Sequence, residues 1–189
     1  MSRERITFSA LLAARAAKAI APLLLAAALV AAPSAAVDEG MPAPPFAVAD
    51  GEGTIVEFPA HADGAPAVVL FWATWCPYCR VVMPELQVVA EDYADQGVRV
   101  YALGINERNS GVDPVARAEE LGFDFIVLPG AEAVAESWDV PGTPGIFVVD
   151  GAGQVIYRRK STDEPPQQPI AELWAGQVRD ALDAALAAQ

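Results

Sequence analysis

The sequence predicts an α/β domain: a central mixed β-sheet with helices on both faces and an N-terminal strand extension. Three observations support this fold class. Strand patterns and helix patterns alternate between residues 46 and 138, which is typical of sheets built from parallel strands. The run Ala67–Ala73 is apolar throughout, as expected for a strand that is buried on both faces. A hairpin pattern near the end of the chain adds antiparallel strands, so we expect a mixed sheet.

Two short strands form the predicted N-terminal extension. They cover Phe46–Ala49 and residues 54–58, and turn-forming residues separate them. The buried strand Ala67–Ala73 comes next. It leads into a helix from Pro77 to about Asp95, where apolar residues recur every three or four positions. Gly97 is expected to end this helix.

The following elements continue the alternation. Val98–Ile105 reads as an apolar strand. Asp113 and Pro114 are typical of the start of a helix, because Asp caps free N–H groups and the missing N–H of Pro costs nothing at the first helical position. An extended segment at residues 123–128 and a short helix at residues 131–138 complete this part.

A hairpin and a helix are predicted at the C-terminal end. Residues 145–150 (GIFVVD) and 154–159 (QVIYRR) are strand patterns, and Gly151-Ala152-Gly153 between them favours a tight turn. The helix runs from Ile170 to Ala188 and is apolar along one face.

Residues 1–36 have the composition of a secretory signal peptide. They contain four basic residues and one acid, an apolar run from Ala19 to Ala32, and the small residues Ser34 and Ala36. The run is shorter than the roughly 20 residues of a membrane-spanning helix. This favours cleavage near Ala36 over a retained inner-membrane anchor. We therefore predict a single domain at residues 37–189 that is exported to the periplasm.

The predicted domain is strongly acidic. Its eight basic and 24 acidic residues give a net charge of −16. Such a surface repels nucleic acid and anionic lipid, so tight binding of either is not expected. About 150 residues are enough for one hydrophobic core, and we expect a monomer.

The two cysteines of the chain, Cys76 and Cys79, lie where the buried strand runs into the first helix. Free N–H groups and the positive end of the helix favour a thiolate at Cys76. Cys79 is three residues further on, on the same helix face and close enough for a disulfide. The pair can therefore exchange disulfides with a partner protein and transfer two electrons without a bound cofactor.

Other uses of these cysteines have less support. A disulfide that closes so short a loop constrains the unfolded chain little. Two cysteines with the lone His61 and the neighbouring Met83 do not form a convincing set of metal ligands. Haem attachment needs His directly after the second cysteine, where this chain has Arg80. We therefore predict neither a metal nor a cofactor.

Two segments carry a resemblance to a known family. Residues 68–86 (VVLFWATWCPYCRVVMPEL) and 140–158 (VPGTPGIFVVDGAGQVIYR) resemble the thioredoxin-like superfamily. Within it, the chain looks most like the exported TlpA/ResA/CcmG (DsbE) group of thiol–disulfide oxidoreductases, over about residues 42–189. Cys-Pro-Tyr-Cys also occurs in glutaredoxins, but the FWATW lead-in, the length and the predicted export point away from them.

The resemblance implies a thioredoxin-like fold and roles for particular residues. Cys76 would be the nucleophile and Cys79 the resolving thiol, and the two would form the redox disulfide. Pro144 would be the family's cis-proline. The backbone of Thr143 before it could pair with an extended substrate segment. Trp75, next to the nucleophile, would shield it and contact partners.

Two positions depart from the pattern of many relatives. An acid six residues before the first cysteine, or a glutamate three residues after the second, helps to move the proton of the resolving thiol in that family. Here these positions are Leu70 and Val82. Because apolar burial raises the pKa of a thiol, we predict that Cys79 deprotonates poorly and that water is its base.

The group resemblance implies a reductase that acts on protein disulfides. Substrates would include the haem-binding cysteine pair of an apocytochrome c or a copper-site pair, and a membrane thiol carrier would donate electrons. A copper chaperone or binding module that uses the same cysteines, and a disulfide-donating oxidase, stay open as alternatives. Peroxiredoxins, which are peroxidases of the same fold, carry Thr three residues before the reactive cysteine and Pro four residues before that Thr. Here these positions are Ala73 and Val69, so we do not predict a peroxidase.

Overall fold

The computed structural model describes residues 36–107, 110–160 and 168–189. The predicted signal peptide, apart from Ala36, lies outside these residues. In the described ranges, no helix combines the length and the apolar composition needed to cross a membrane.

A five-stranded mixed sheet forms the centre of the domain, as predicted. Its strands are β3 (Ala67–Trp72), β4 (Arg99–Gly104), β5 (Ile126–Leu128), β6 (Gly145–Val149) and β7 (Val155–Arg158). Their spatial order is β5-β4-β3-β6-β7. Strands β3, β4 and β5 are parallel, whereas β6 and β7 are antiparallel to their neighbours.

Helices cover both faces of this sheet. The core on one face includes Val68, Leu70 and Trp72 of β3 with residues of three helices, and the core on the other includes Val69 and Phe71 with a fourth helix. This division follows from the alternation of side chains along a strand. The helices are α1 Pro77–Asp92, α2 Pro114–Glu120 and α4 Ile170–Ala187 on the first face, and α3 Glu132–Ser137 on the second.

The N-terminal extension is a separate two-stranded sheet of β1 (Phe46–Ala49) and β2 (Ile55–Phe58). It packs on the α3 face, where the Phe46 and Phe58 rings stack with centroids 4.9 Å apart. The ring centroid of the buried Trp138 lies 6.4 Å from that of Phe46. The extension therefore belongs to the core on that face.

The first helix is shorter than its pattern predicts. It ends at Asp92, and a separate 3-10 turn, Ala94–Gln96, precedes Gly97. The carbonyl of Tyr93 accepts from the N–H groups of Gln96 and Val98, and such bonds tighten the chain into a turn. Gly97 then reverses the chain with a positive φ of 79°.

Candidate active site

The site begins where β3 passes into α1. Cys76 is the N-cap of α1 and Pro77 is its first residue, in agreement with the predicted start. The backbone N–H of Cys79 donates to Cys76 Sγ at 3.3 Å, and the N–H of Cys76 donates to the carbonyl of Ala73 at 3.0 Å. The sulfur of Cys76 thus occupies the capping position, where a helix favours negative charge.

Both cysteines are free thiols and both are buried. Cys76 is 2% exposed and Cys79 is fully buried, so Cys79 is the deeper of the two, although the difference is small. The flanking side chains of Trp75 and Tyr78 are about half exposed. The buried Cys76 is therefore flanked by exposed aromatic surface.

The environment of Cys79 opposes its ionisation. Burial raises the pKa of the Cys79 thiol far above its ordinary value, and the adjacent Cys76 raises it further. A backbone contact at Ala73 and the Thr143 hydroxyl act in the opposite direction. Leu70 is fully buried and offers no proton acceptor. This agrees with the predicted difficulty of deprotonating Cys79.

The peptide bond between Thr143 and Pro144 is cis, as the resemblance implied. The antiparallel pairing of β6 with β3 places Gly145 opposite Phe71. Residues 143–144 therefore come to the same end of the sheet as the cysteines. Thr143 is half-buried, and beside it lies an open groove of about 490 Å³.

Glu107 is a residue of this site that no sequence pattern indicated. Its carboxylate accepts the backbone N–H and the hydroxyl of Thr74, each at 2.6 Å. The indole N–H of Trp75 donates to the carbonyl of Asn106 at 2.9 Å. The loop after β4 therefore holds the two residues that precede Cys76.

Arg159 is a second residue that was missed. Its Nε–H donates to the carbonyl of Pro144 at 2.8 Å, and its guanidinium lies 4.8 Å from the ring centre of Trp174. The ring of Trp174 is in turn 6.1 Å from that of Tyr78, inside the Cys-Pro-Tyr-Cys motif. No local sequence pattern brings these residues together, because they come from four different elements.

The remaining candidates lie apart from the cysteines. His61 is exposed, but it is not without contacts, since its Nδ1 lies 3.0 Å from the hydroxyl of Tyr101. Trp72 and Trp138 are buried core residues. Over the part of the chain that the structure describes, no group of three or more His, Cys, Asp or Glu side chains is placed to hold a metal ion.

A dithiol at the end of the central strand of a thioredoxin-like sheet is the arrangement of a thiol–disulfide oxidoreductase. The comparisons with known proteins agree with this class. The chain belongs to the AhpC/TSA family, whose model matches residues 40–158. Curated relatives named ResA and DsbE confirm the predicted relationship to that group.

One relative is the thiol-disulfide oxidoreductase ResA of Bacillus thuringiensis, which is 30% identical over 128 residues, 68% of this chain and 73% of that protein. Another is the thiol:disulfide interchange protein DsbE of Escherichia coli, which is 28% identical over 148 residues, 75% of this chain and 77% of DsbE. The thioredoxin domain of a Bacteroides vulgatus thiol-disulfide oxidoreductase has the same fold. The TM-score is 0.59 at 24% identity, over 68% of this chain and 92% of that one.

Proposed function

We propose that this protein reduces disulfides of exported proteins through Cys76 and Cys79. The observation that carries the proposal is the position of Cys76 Sγ at the N-terminus of α1, where it accepts the Cys79 N–H at 3.3 Å. The free N–H groups at the start of a helix favour negative charge, and the thiolate is the form of a cysteine that attacks disulfides. The substrate class is a cysteine pair such as the haem-binding pair of an apocytochrome c or a copper-site pair.

The reaction has two exchange steps. The Cys76 thiolate attacks one sulfur of the partner's disulfide, and the other sulfur leaves and takes up a proton. Cys79 then loses its proton to water and attacks the sulfur of Cys76, which releases the second partner thiol. The partner gains two electrons and two protons, and the Cys76–Cys79 disulfide forms. The dithiol of a membrane thiol carrier returns the electrons.

Three residues are proposed to bind the substrate. Thr143 and Pro144 offer backbone beside the cysteines, to which an extended peptide can add as a strand. Trp75 is half exposed next to Cys76 and offers an aromatic contact of the kind that partner proteins use.

The domain at residues 37–189 would act in the periplasm as a monomer, after cleavage near Ala36 or from a retained anchor. The resemblance to exported oxidoreductases and the composition of residues 1–36 support this location.

The full chain and its Cys76→Ser and Cys79→Ser variants test the proposal with insulin and with an oxidised apocytochrome c peptide as substrates. Cys76→Ser should abolish reduction, and Cys79→Ser should accumulate a mixed disulfide at Cys76. Undiminished turnover by Cys76→Ser would contradict the proposed mechanism.

The reduction potential tests the direction of the reaction. A value below about −220 mV fits a reductase, whereas a value near −120 mV is that of a strong oxidant. Stoichiometric copper in the purified, reduced protein would favour the chaperone alternative instead.

A further inference from the structure

Asn106, just after β4, has a left-handed backbone conformation. Its φ is 60°, a value that is unfavourable for most residues with a side chain and that Asn adopts more readily than they do. The preceding residue, Ile105, still pairs with β3, because its N–H donates to the carbonyl of Trp72 at 2.9 Å. The positive φ therefore falls at the first residue beyond this pairing.

Hydrogen bonds fix the peptide groups on both sides of Asn106. Its N–H donates to Oε1 of Glu132, the first residue of α3, at 3.1 Å. Its carbonyl accepts the indole N–H of Trp75 at 2.9 Å. The side chain of Asn106 itself is exposed, so the residue type acts here mainly through the backbone conformation that it allows.

The indole held by this carbonyl stands next to the nucleophile. Trp75 belongs to the turn that the N–H of Cys76 closes by donating to the carbonyl of Ala73 at 3.0 Å. Half of the Trp75 side chain is exposed. A side chain that is already fixed in one orientation loses less conformational entropy when a partner binds, so the bond to Asn106 favours association.

We propose that Asn106 is a positioning residue of the oxidoreductase site. Its left-handed conformation directs the carbonyl toward the indole N–H of Trp75, which holds the exposed ring beside Cys76 in the orientation that meets a partner protein. This rests on the proposed contact of Trp75 with substrates. The next residue, Glu107, holds Thr74 in the same turn, so consecutive residues of one loop position both residues before Cys76.

Exchange of the Trp75 indole proton, followed by NMR in the full chain, tests the orientation directly. Asn106→Val should speed this exchange about tenfold, because a β-branched side chain disfavours the positive φ that aims the carbonyl. Asn106→Gly should exchange like the parent protein, because glycine adopts a positive φ without steric cost. Trp75→Phe assigns the signal by its loss, and Asn106→Ala replaces Asn106→Val if the latter does not fold.

Insulin reduction tests the consequence for partner proteins. Asn106→Val should lower kcat/KM for insulin about fivefold, the effect expected for one hydrogen bond, while iodoacetamide alkylates Cys76 at the parent rate. Trp75→Phe keeps a ring but lacks the indole N–H and should show the same defect. Adding Asn106→Val to Trp75→Phe should lower kcat/KM no further, since both changes remove one interaction.

Asp63→Val is the matched control. Asp63 also has a positive φ, of 51°, and it caps the 3-10 turn Ala60–Ala62, which precedes β3, whereas Cys76 follows that strand. This variant should lose stability as Asn106→Val does, for the same steric reason. Its insulin reduction and its Trp75 indole exchange should equal those of the parent protein.

Three results would overturn the proposal. They are an unchanged indole exchange in Asn106→Val, an equal loss of insulin reduction in Asp63→Val, and additive losses in the double variant. The exchange measurement needs no turnover. A parent protein that does not reduce insulin would therefore refute the proposed reductase function, while indole exchange would still decide whether Asn106 orients Trp75.

Discussion

Glu107 accepts both hydrogen-bond donors of Thr74, the backbone N–H and the hydroxyl, at 2.6 Å each. The two residues are 33 positions apart in the chain. Carboxylates form hydrogen bonds about twice as strong as those of neutral acceptors, and Thr74 itself is buried. The conformation of the turn that presents Cys76 therefore depends on a loop that follows a different strand.

Removing this carboxylate should loosen the turn. Glu107→Ala leaves the buried hydroxyl and N–H of Thr74 without an acceptor, which should cost about 1–3 kcal/mol of unfolding free energy. Glu107→Gln should cost less, because its amide can still accept one bond and donate one to the hydroxyl. Urea unfolding measures both variants.

The exposed Glu119 of α2 provides the control for Glu107. Glu119→Gln removes a carboxylate from the surface and should change the unfolding free energy by less than about 0.5 kcal/mol. Equal effects of Glu107→Ala and Glu119→Gln would show that the pairing with Thr74 contributes nothing.

Resolution by Cys79 should depend steeply on pH. Because burial raises the pKa of Cys79 well above the neutral range, its thiolate fraction rises about tenfold for each pH unit. The rate at which Cys79 releases a mixed disulfide from Cys76 should rise in the same proportion between about pH 6 and pH 9. Stopped-flow decay of the mixed disulfide at several pH values measures this slope.

A carboxylate at position 82 should weaken the pH dependence of resolution by Cys79. Val82 is fully buried in the first turns of α1, and Val82→Glu would place a proton acceptor on the same helix as Cys79. We expect resolution at pH 6 to accelerate about a hundredfold, the lower end of the range typical of general acid–base catalysis. Val82→Gln is the control, because glutamine has nearly the same shape as glutamate but does not act as a base. A rate that both variants leave unchanged would rule out a role for this position.

Stability should fall in alkaline solution partly because of Tyr157. Burial raises the pKa of Tyr157 to about 12, above the ordinary value of about 10 in an unfolded chain. The contribution of the neutral hydroxyl is therefore complete below pH 10 and is lost as the pH rises toward 12. Tyr157→Phe also removes a hydrogen bond to Gln177 of 2.9 Å, which lowers stability by an amount that does not vary with pH below 10.

The slope between pH 10 and pH 12 separates these two effects. In chemical unfolding, Tyr157→Phe should lose less stability over this window than the parent protein does. Parallel curves for the two proteins would mean that Tyr157 ionises equally easily in the folded and unfolded states.

Two glycines should respond in opposite ways to substitution by alanine. A Cβ at Gly151 would lie 2.1 Å from the carbonyl oxygen of Gly64, whereas a Cβ at Gly176 in α4 would meet nothing within 4 Å. Gly151→Ala should therefore destabilise the fold by about 1–3 kcal/mol through overpacking. Gly176→Ala should stabilise it by about 0.5–1 kcal/mol through helix propensity. Thermal unfolding of both variants checks the signs, and a stable Gly151→Ala would refute the close approach.

Local patterns were sufficient for most of the secondary structure and for the position of Cys76 at the start of a helix. The apolar run Ala67–Ala73, followed by Cys76 and Pro77, indicated a buried strand that passes into a helix. In the structure, β3 covers most of that run and α1 begins at Pro77. Such features depend on neighbours within a few residues, so they can be read without tertiary structure.

One local signal was overlooked. The segments DGEGT at residues 50–54 and DGAGQ at residues 150–154 form the same turn in the two hairpins. In each, the aspartate Oδ1 accepts the N–H two residues later and the N–H four residues later. The tetrapeptide Asp-Gly-X-Gly was thus a readable sign of two equivalent turns.

Local patterns could not predict the residues that support the site. Glu107 and Arg159 come from segments with no distinctive pattern. Glu107 reaches Thr74, and Arg159 reaches the carbonyl of Pro144, only after distant strands have paired. Their contacts depend on strand order and register, which are properties of the whole sheet. Short-range preferences therefore determined that the two sulfurs lie at a helix end. Only the pairing of distant strands decided that Glu107 and Arg159 support the neighbouring turns, because these contacts join residues far apart in the chain.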